Sequence, residues 1–242
     1  MTDSAEPHTV HSFDEELRSL HFNVLEIGEL VLNQLCLALE SLKSRDLPLA
    51  RRIVERGLAV NAMETGANAV IFTILAKRCP KAGDLRVVMA ASKIVADLER
   101  IGDEALKLAN FVAYLHDYDG QGSEHFPFDD IGRLGGVAVE IARAALDAYE
   151  RLDGARARQV GELQHALDRE FQAGLRRLMD LLQAEKTDKG FAVSQVLMMK
   201  ALDRVGDHAQ SVAGHVIYQL DGEAPAHGVP GLARDFPLPG QA

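Results

Sequence analysis

Apolar side chains recur at alternating steps of three and four residues along two segments of the chain. The first seam consists of Val88, Ala91, Val95, Leu98, Gly102, Ala105, Ala109 and Val112. The second seam, 104 positions later, consists of Ala192, Gln195, Met199, Leu202, Gly206, Ala209, Ala213 and Val216. This spacing is typical of a long helix that packs lengthwise in an antiparallel bundle. Both seams narrow to glycine and alanine at the same place, which predicts close approach of a neighbouring helix there.

Prolines interrupt this helical pattern at few places. Pro48, Pro80 and Pro127 divide the body of the chain into long proline-free segments, because proline breaks a helix interior. The segments predict six helices, at residues 11–44, 47–77, 83–117, 128–152, 154–184 and 189–220. The composition of YDGQGSEHFPFDD, residues 118–130, predicts a linker between two halves of three helices each.

We therefore predict an all-α protein that consists of two tandem, structurally similar three-helix bundles. A disordered leader, 1–10, precedes the first bundle at 11–120. The second bundle spans 121–220, and a flexible tail rich in proline and glycine follows at 221–242. Aromatic residues make up only 5% of the chain and tryptophan is absent, which also favours packed helices over sheets.

Charge and composition argue against several classes of function. The formal charge of −10 argues against nucleic-acid binding, which needs a cationic surface. The acidic N-terminus lacks an apolar signal region, so no secretory signal is predicted. No run of eighteen apolar residues occurs, so no membrane span is predicted and we expect a cytoplasmic protein. Cys36 and Cys79 are too few for a disulfide scaffold, although a bridge between them stays open.

A pair of acids repeats in both halves. The segment LERIGDEALKLA returns 104 positions later as LDRVGDHAQSVA, with six of the twelve positions identical. Glu99 and Asp103 are four residues apart in the first copy, as are Asp203 and Asp207 in the second. Residues four apart on a helix point in the same direction. Because each acid directly follows a seam position, both pairs are predicted on the exposed flank of the apolar stripe.

These acids are candidate metal ligands. Like charges at this spacing repel by a few tenths of a kcal/mol, and a glycine inside a helix costs about 1 kcal/mol relative to alanine. Each motif contains both the repelling acids and the glycine, and the repetition of these unfavourable features favours a bound partner that compensates for them. Carboxylate oxygens that converge on a groove suit magnesium, manganese, calcium or iron ions. The alternative is a solvated acidic face that Arg100 or Arg204 partly neutralises.

Other polar residues are weaker candidates. Asn61, Glu64 and Asp168 lie on the second helix of their halves and face either the same groove or the surface. His208 is predicted as exposed, and His215 as a histidine with a protein partner or at the surface. The third helices lack the Glu-x-x-His pair of a di-iron carboxylate enzyme. Phosphate loops, dinucleotide fingerprints and nucleophile elbows are absent from the sequence, so nothing in it requires an enzyme.

The same residues reveal a family resemblance. The chain resembles the PhoU family of phosphate-uptake regulators over about residues 13–220. LERIGDEA and LDRVGDHA look like the E/D-x-x-x-D motif of that family, and DLPLARRIVERGLAVNAME, AKRCPKAGDLR and FDEELRSL support the match. The second copy has Asp203 where the family usually has glutamate, which shortens the reach of this side chain by one methylene.

The resemblance implies two similar three-helix bundles side by side. Some members of the family carry polynuclear iron or zinc clusters on the motif acids, which here are Glu99, Asp103, Asp203 and Asp207, and other members carry no metal. When phosphate is plentiful, the family restrains the phosphate ABC transporter and keeps the phosphate-starvation sensor kinase in its signalling-off state.

The predicted function is therefore negative regulation of inorganic phosphate uptake and of phosphate-starvation signalling. The expected partners are the ATPase subunit of the transporter and the sensor histidine kinase, which hold this non-catalytic adaptor at the inner face of the membrane. We also expect a homodimer. The main alternative is a metal-dependent helical-bundle enzyme, a hydrolase or an oxidase, that uses the same acids. A purely structural helical module is the second alternative.

Overall fold

The computed structural model describes residues 6–118, 128–185, 187 and 189–222. Within these ranges the chain forms six α-helices and no strand. The helices are α1 (Glu6–Ser44), α2 (Leu47–Arg78), α3 (Ala82–Tyr118), α4 (Phe128–Arg151), α5 (Gly154–Gln183) and α6 (Lys189–Asp221). The prediction of an all-α fold with two similar sets of three helices is confirmed.

The helix boundaries follow local chemistry. Asp46 caps α2 by accepting a hydrogen bond from the Leu49 N–H at 2.8 Å. Asp153 caps α5 in the same way, accepting from the N–H groups of Ala155 and Arg156. An aspartate in this position satisfies backbone donors that the first turn of a helix leaves open. The two halves therefore begin their second helix by the same device.

The N-terminal boundary differs from the prediction. α1 begins at Glu6, so it extends into the segment 1–10 that is predicted to be a disordered leader. Pro7 falls in the first turn of α1, where its missing N–H would have no helical partner in any case. Residues 1–5 of the predicted leader, 119–127 of the predicted linker and 223–242 of the predicted tail lie outside the described residues.

The two sets of helices share one core. α1, α2 and α3 pack together, as do α4, α5 and α6. The two sets meet where α3 packs on α6 and where α1 packs on α4, and the α3–α6 contact is the most extensive between any two helices. The buried apolar residues of both sets form a single cluster. A small cavity near its centre is lined by residues from α1, α3, α4 and α6, among them Gly28, Leu98, Ala142 and Val212.

The glycines of the two apolar seams have different surroundings. A Cβ atom on Gly206 would lie 2.2 Å from Leu167 Cδ2 and 2.5 Å from Gln164 Oε1, so α5 approaches α6 too closely for a larger residue. A Cβ atom on Gly102 would lie 3.5 Å from Val60 and 3.6 Å from Val31, which is ordinary van der Waals contact. The predicted close approach is therefore present at Gly206 and is not required at Gly102.

Two helical segments, Ser12–Ser44 and Leu47–Arg78, are long and apolar enough to cross a membrane by length and composition, since each contains an 18-residue stretch with a mean hydropathy of 1.4. Core helices of soluble bundles pass the same test, so this is weak evidence for a span. Both segments bury apolar residues in the shared core, for example Val24 of α1 and Ile53 and Ile74 of α2. Packing in the core therefore accounts for part of their apolar composition, while α2 also carries exposed apolar residues such as Leu58 and Phe72.

Cys36 and Cys79 both carry free thiols, and no disulfide joins them. Cys36 is partly buried on α1. Cys79 is exposed at the end of α2, where its backbone adopts the left-handed conformation. The bridge that the sequence leaves open is therefore not formed in this structure.

His21 of α1 contacts Tyr149 of α4, and its burial predicts a dependence of stability on pH. Its ring lies on α1, 4.6 Å from the ring of Tyr149 on α4, measured between centroids. Burial lowers the pKa of the His21 imidazole from 6.5 and outweighs the backbone hydrogen bond and the charge of Glu150, which both raise it. At a pH just below the ordinary pKa of histidine, the His21 imidazole is therefore protonated more often in the unfolded chain than in the folded protein.

Stability is consequently expected to decrease as the pH falls through the ordinary pKa of histidine. Thermal unfolding at about pH 7.5 and about pH 5.5 measures the effect, and a His21→Gln variant lacks this titration. We expect the wild type to lose more stability than the variant between the two conditions. Equal losses would show that His21 is not responsible.

Candidate functional site

The predicted acids flank the seam where α3 and α6 run antiparallel. Residues later in α3 contact residues earlier in α6: Asp97 contacts His208, and Glu104 contacts Arg204. The apolar seam positions Leu98 and Leu202 are fully buried. Asp203 beside Leu202 is buried as well, whereas Glu99 beside Leu98 is partly buried. Two of the four candidate ligands therefore lie on each of these two helices.

The first acid pair lies on α3, close enough to Glu64 of α2 for the carboxylates to repel one another. Asp103 is exposed and Glu99 is partly buried. Burial raises the pKa of the Glu99 carboxyl, and repulsion from Asp103 and from Glu64 on α2 raises it further. Arg100 and His208 oppose this increase without cancelling it. The site therefore concentrates negative charge that a bound cation would relieve.

The second acid pair is not equivalent to the first. Asp203 is only 2% exposed, and its Oδ2 atom accepts a hydrogen bond from Lys200 Nζ at 2.6 Å. The Lys200 ammonium also lies 5.9 Å from the centroid of the Phe171 ring on α5. The prediction of an exposed flank position is therefore wrong for Asp203, because this side chain is buried and paired with Lys200.

Gln164 of α5 connects two of the predicted residues. Its Nε2 atom lies 3.3 Å from Asp207 Oδ1 and 3.4 Å from Asp168 Oδ1. The structure thus brings Asp168 and Asp207 to the same amide, one of the two placements that the sequence leaves open for Asp168, and Gln164 itself is not predicted. Its signal in the sequence is a polar residue at a buried position of α5, between Val160 and Leu167.

Asp97 is a second residue that the sequence analysis misses. Its Oδ1 atom lies 3.0 Å from His208 Nδ1, and its Oδ2 atom lies 3.3 Å from His215 Nε2. Burial raises the pKa of the Asp97 carboxyl, but the hydrogen bonds and charges of the two histidines together hold this pKa below its usual range. His215 thus has a protein partner, which is one of the two alternatives that the sequence leaves open. The prediction that His208 is exposed is wrong, because Asp97 and the α3–α6 packing cover much of its ring.

The two acid pairs differ in how well they fit a metal. Within the described part of the chain, no three histidine, cysteine, aspartate or glutamate side chains are grouped closely enough to hold an ion. Glu99 and Asp103 still offer carboxylate oxygens beside Glu64, a donor set that suits a hard or borderline cation. Asp203 and Asp207 already bond Lys200 and Gln164, so the second pair does not fit an ion without rearrangement.

The duplicated architecture has a counterpart among known proteins. The PhoU domain model matches residues 24–112 in the first half and residues 131–216 in the second. The chain belongs to the PhoU family. The first matched segment lies within α1 to α3 and the second lies within α4 to α6. Each segment contains one of the acid motifs.

Several relatives extend the likeness over most of the chain. A Pseudomonas putida protein named phosphate-specific transport system accessory protein PhoU homolog is 32% identical over 91% of this chain and 85% of its own length. The Escherichia coli K12 phosphate-specific transport system accessory protein PhoU is 30% identical over 89% of this chain and 88% of its own. These relatives are named as accessory proteins and not as enzymes.

Solved PhoU structures share the fold. The crystal structure of PhoU from Pseudomonas aeruginosa aligns with a TM-score of 0.82 and 32% identity, covering 87% of this chain and 100% of that one. The phosphate transport system regulatory protein PhoU from Streptococcus pneumoniae aligns with a TM-score of 0.79 and 22% identity, covering 88% and 98%. The second likeness concerns the fold alone.

Proposed function

We propose that this PhoU-family protein is a negative regulator of inorganic phosphate uptake and of phosphate-starvation signalling. The observation that carries the proposal is the match of both halves to the PhoU domain. Relatives of similar length are named as accessory proteins of phosphate-specific transport, which favours a regulator over the metal-dependent enzyme. The protein acts in the cytoplasm as a homodimer, and light scattering of the purified chain tests the dimer.

The proposed partners are the ATPase subunit of the phosphate ABC transporter and the phosphate-sensing histidine kinase. Six long helices around one core form a body that can present a fixed surface to such partners. A surface that binds one conformational state of a partner better than another shifts the population of that partner. A tenfold preference corresponds to about 1.4 kcal/mol, so regulation needs no chemistry on the adaptor itself.

Deletion of the gene is expected to activate phosphate-starvation genes in phosphate-rich medium. Without the adaptor, the transporter and the kinase lose the partner that holds them in their restrained states. A starvation-responsive reporter measures the effect, and a plasmid copy of the wild-type gene serves as the control that restores repression. Unchanged reporter activity in the deletion strain would contradict the proposed function.

The metal site that we propose has its main donors in the first half. Glu99 and Asp103 hold the iron or zinc, and Glu64 contributes negative charge nearby. A bound cation supplies the positive charge that cancels the repulsion among these carboxylates. Asp203 and Asp207 form a weaker second site, because an ion there must displace Lys200 and Gln164 from them.

Elemental analysis of protein purified without chelator tests the metal proposal. We expect iron or zinc in the wild type, a large loss in Glu99→Gln with Asp103→Asn, and no loss in the control Glu55→Gln, which alters an exposed acid elsewhere on α2. Less than about a tenth of an equivalent per wild-type chain would contradict the proposal. The acids would then serve as surface or partner-docking groups.

A further inference from the structure

A concave surface crosses the boundary between the two bundles. It lies on α3 and α6, toward the opposite end of their seam from the contacts of Asp97. Its volume is about 570 Å³, which is within the range of small-molecule pockets. We call it the seam groove. Its walls include Lys107, Phe111 and Tyr114 of α3 and Leu197, Lys200 and Arg204 of α6.

Buried carboxylates hold the cationic side chains of the seam groove in place. Glu104 is 4% exposed, and its Oε1 atom lies 2.8 Å from Lys107 Nζ and 3.3 Å from Arg204 Nη1. Asp203 is equally buried and holds Lys200. All three cationic side chains are about half exposed, so their charged ends are oriented by the protein and still reach solvent.

The charges of the seam groove do not cancel. Three cations, Lys107, Lys200 and Arg204, face two carboxylates, Glu104 and Asp203, which leaves a net charge of +1. The whole protein has a formal charge of −10, so the groove is a local positive region on an acidic molecule. An ammonium carries three N–H donors and a guanidinium five, more than one carboxylate bond uses. Donors therefore remain for an incoming anion.

The rest of the seam groove is apolar. Leu197 is 53% exposed, Tyr114 is 43% exposed, and Phe111 is partly buried. Single exposed apolar residues are normal on a protein surface. Three that line one concave surface next to oriented cations are instead the usual composition of a ligand pocket, in which apolar walls hold the body of a ligand and a few polar groups fix its orientation.

We propose that the seam groove binds a small organic anion in which one carboxylate or phosphate group is joined to an aromatic or aliphatic body. Lys107 and Arg204 bind the anionic group, and Phe111, Tyr114 and Leu197 contact the body. Because α3 belongs to the first bundle and α6 to the second, the bound anion touches both halves. This site goes beyond the proposed role in phosphate regulation and does not depend on it.

The fluorescent dye anilinonaphthalene sulfonate is a suitable probe, since it joins an aromatic body to one anionic group. Its neutral relative phenylnaphthylamine has a similar body without the charge. We expect the purified full-length protein to bind the anionic dye about tenfold more tightly than the neutral one, the factor that corresponds to one modest ionic contact. Equal affinities for the two dyes would overturn the proposal.

Four variants locate the bound dye. Leu197→Asp places a negative charge in the groove, and Lys107→Gln removes one cation while Arg204 still pairs with Glu104. Each is expected to weaken binding of the anionic dye about tenfold or more. The matched controls, Met179→Asp on an exposed position of α5 and Arg52→Gln on α2, are expected to leave it unchanged. Equal binding by Leu197→Asp and the wild type would overturn the proposal.

Competition separates an organic anion from phosphate itself. Phenyl phosphate and benzoate are expected to displace the dye, and inorganic phosphate at the same concentration is expected to displace much less. Displacement by inorganic phosphate that equals displacement by phenyl phosphate would overturn the required contact with an apolar body. Circular dichroism of each variant verifies that the helices remain, so that lost binding is not lost folding.

Discussion

Replacing Gly206 with alanine is expected to lower the free energy of unfolding by about 2 kcal/mol, whereas the same change at Gly102 is expected to raise it by up to about 1 kcal/mol. The two glycines occupy equivalent places in the repeated motif. At Gly206 the new methyl group overlaps the ends of the Leu167 and Gln164 side chains, and because both are buried they must shift within the packed interior. At Gly102 the methyl group makes ordinary contacts, so the gain in helix propensity is realised.

Urea denaturation of both variants measures this difference. The variant with alanine at 206 also disturbs the amide of Gln164, which bonds Asp207 and Asp168, and this loss adds to the overpacking. The variant at 102 is the matched control, because it makes the identical chemical change at the equivalent position of the other half. The same sign of change at both positions would contradict the packing described for α5 against α6.

The second prediction compares the first acids of the two motifs. Asp203→Ala is expected to lower the free energy of unfolding by about 2 kcal/mol, because it removes a buried carboxylate and leaves Lys200 without that partner. Glu99→Ala is expected to change it by less than about 0.5 kcal/mol. Glu99 is partly exposed and is repelled by Asp103 and Glu64. The substitution therefore relieves this repulsion but also removes some packing contacts, and the two effects oppose each other.

Denaturation in the presence of a chelator compares the two variants without any contribution from metal. Asp203→Asn is a useful additional variant, since it keeps the size of the side chain and removes only the charge. It is expected to fall between the wild type and Asp203→Ala. Equal destabilisation by Glu99→Ala and Asp203→Ala would mean that the two motifs are equivalent after all.

Local signals were sufficient to predict the helices. Pro48 and Pro80 lie close to the turns around α2, and Asp46 and Asp153 have the residue type that caps a helix. The alternating seam positions predicted which residues of α3 and α6 are buried, and Leu98 and Leu202 are in the core. These features depend on spacing within one segment, which the sequence displays directly.

The candidate site was less predictable, because it depends on which helix covers each flank. Spacing places Asp203 beside the apolar seam, but only the packed structure shows that this carboxylate is buried and paired with Lys200. Asp97 is one turn before Ile101 and carries no motif, and its histidine partners are more than a hundred residues away. Contacts over such separations follow from how the helices are arranged, and a single sequence does not display that arrangement.

The common interior of the two repeats means that neither copy is a self-sufficient folding unit. Leu98 of the first copy and Val212 of the second surround the same central cavity, and α1 lies directly against α4. If the chain were cut between the halves, each fragment would expose to water the apolar surface that the other half covers. We therefore expect the two halves to unfold together in a single transition.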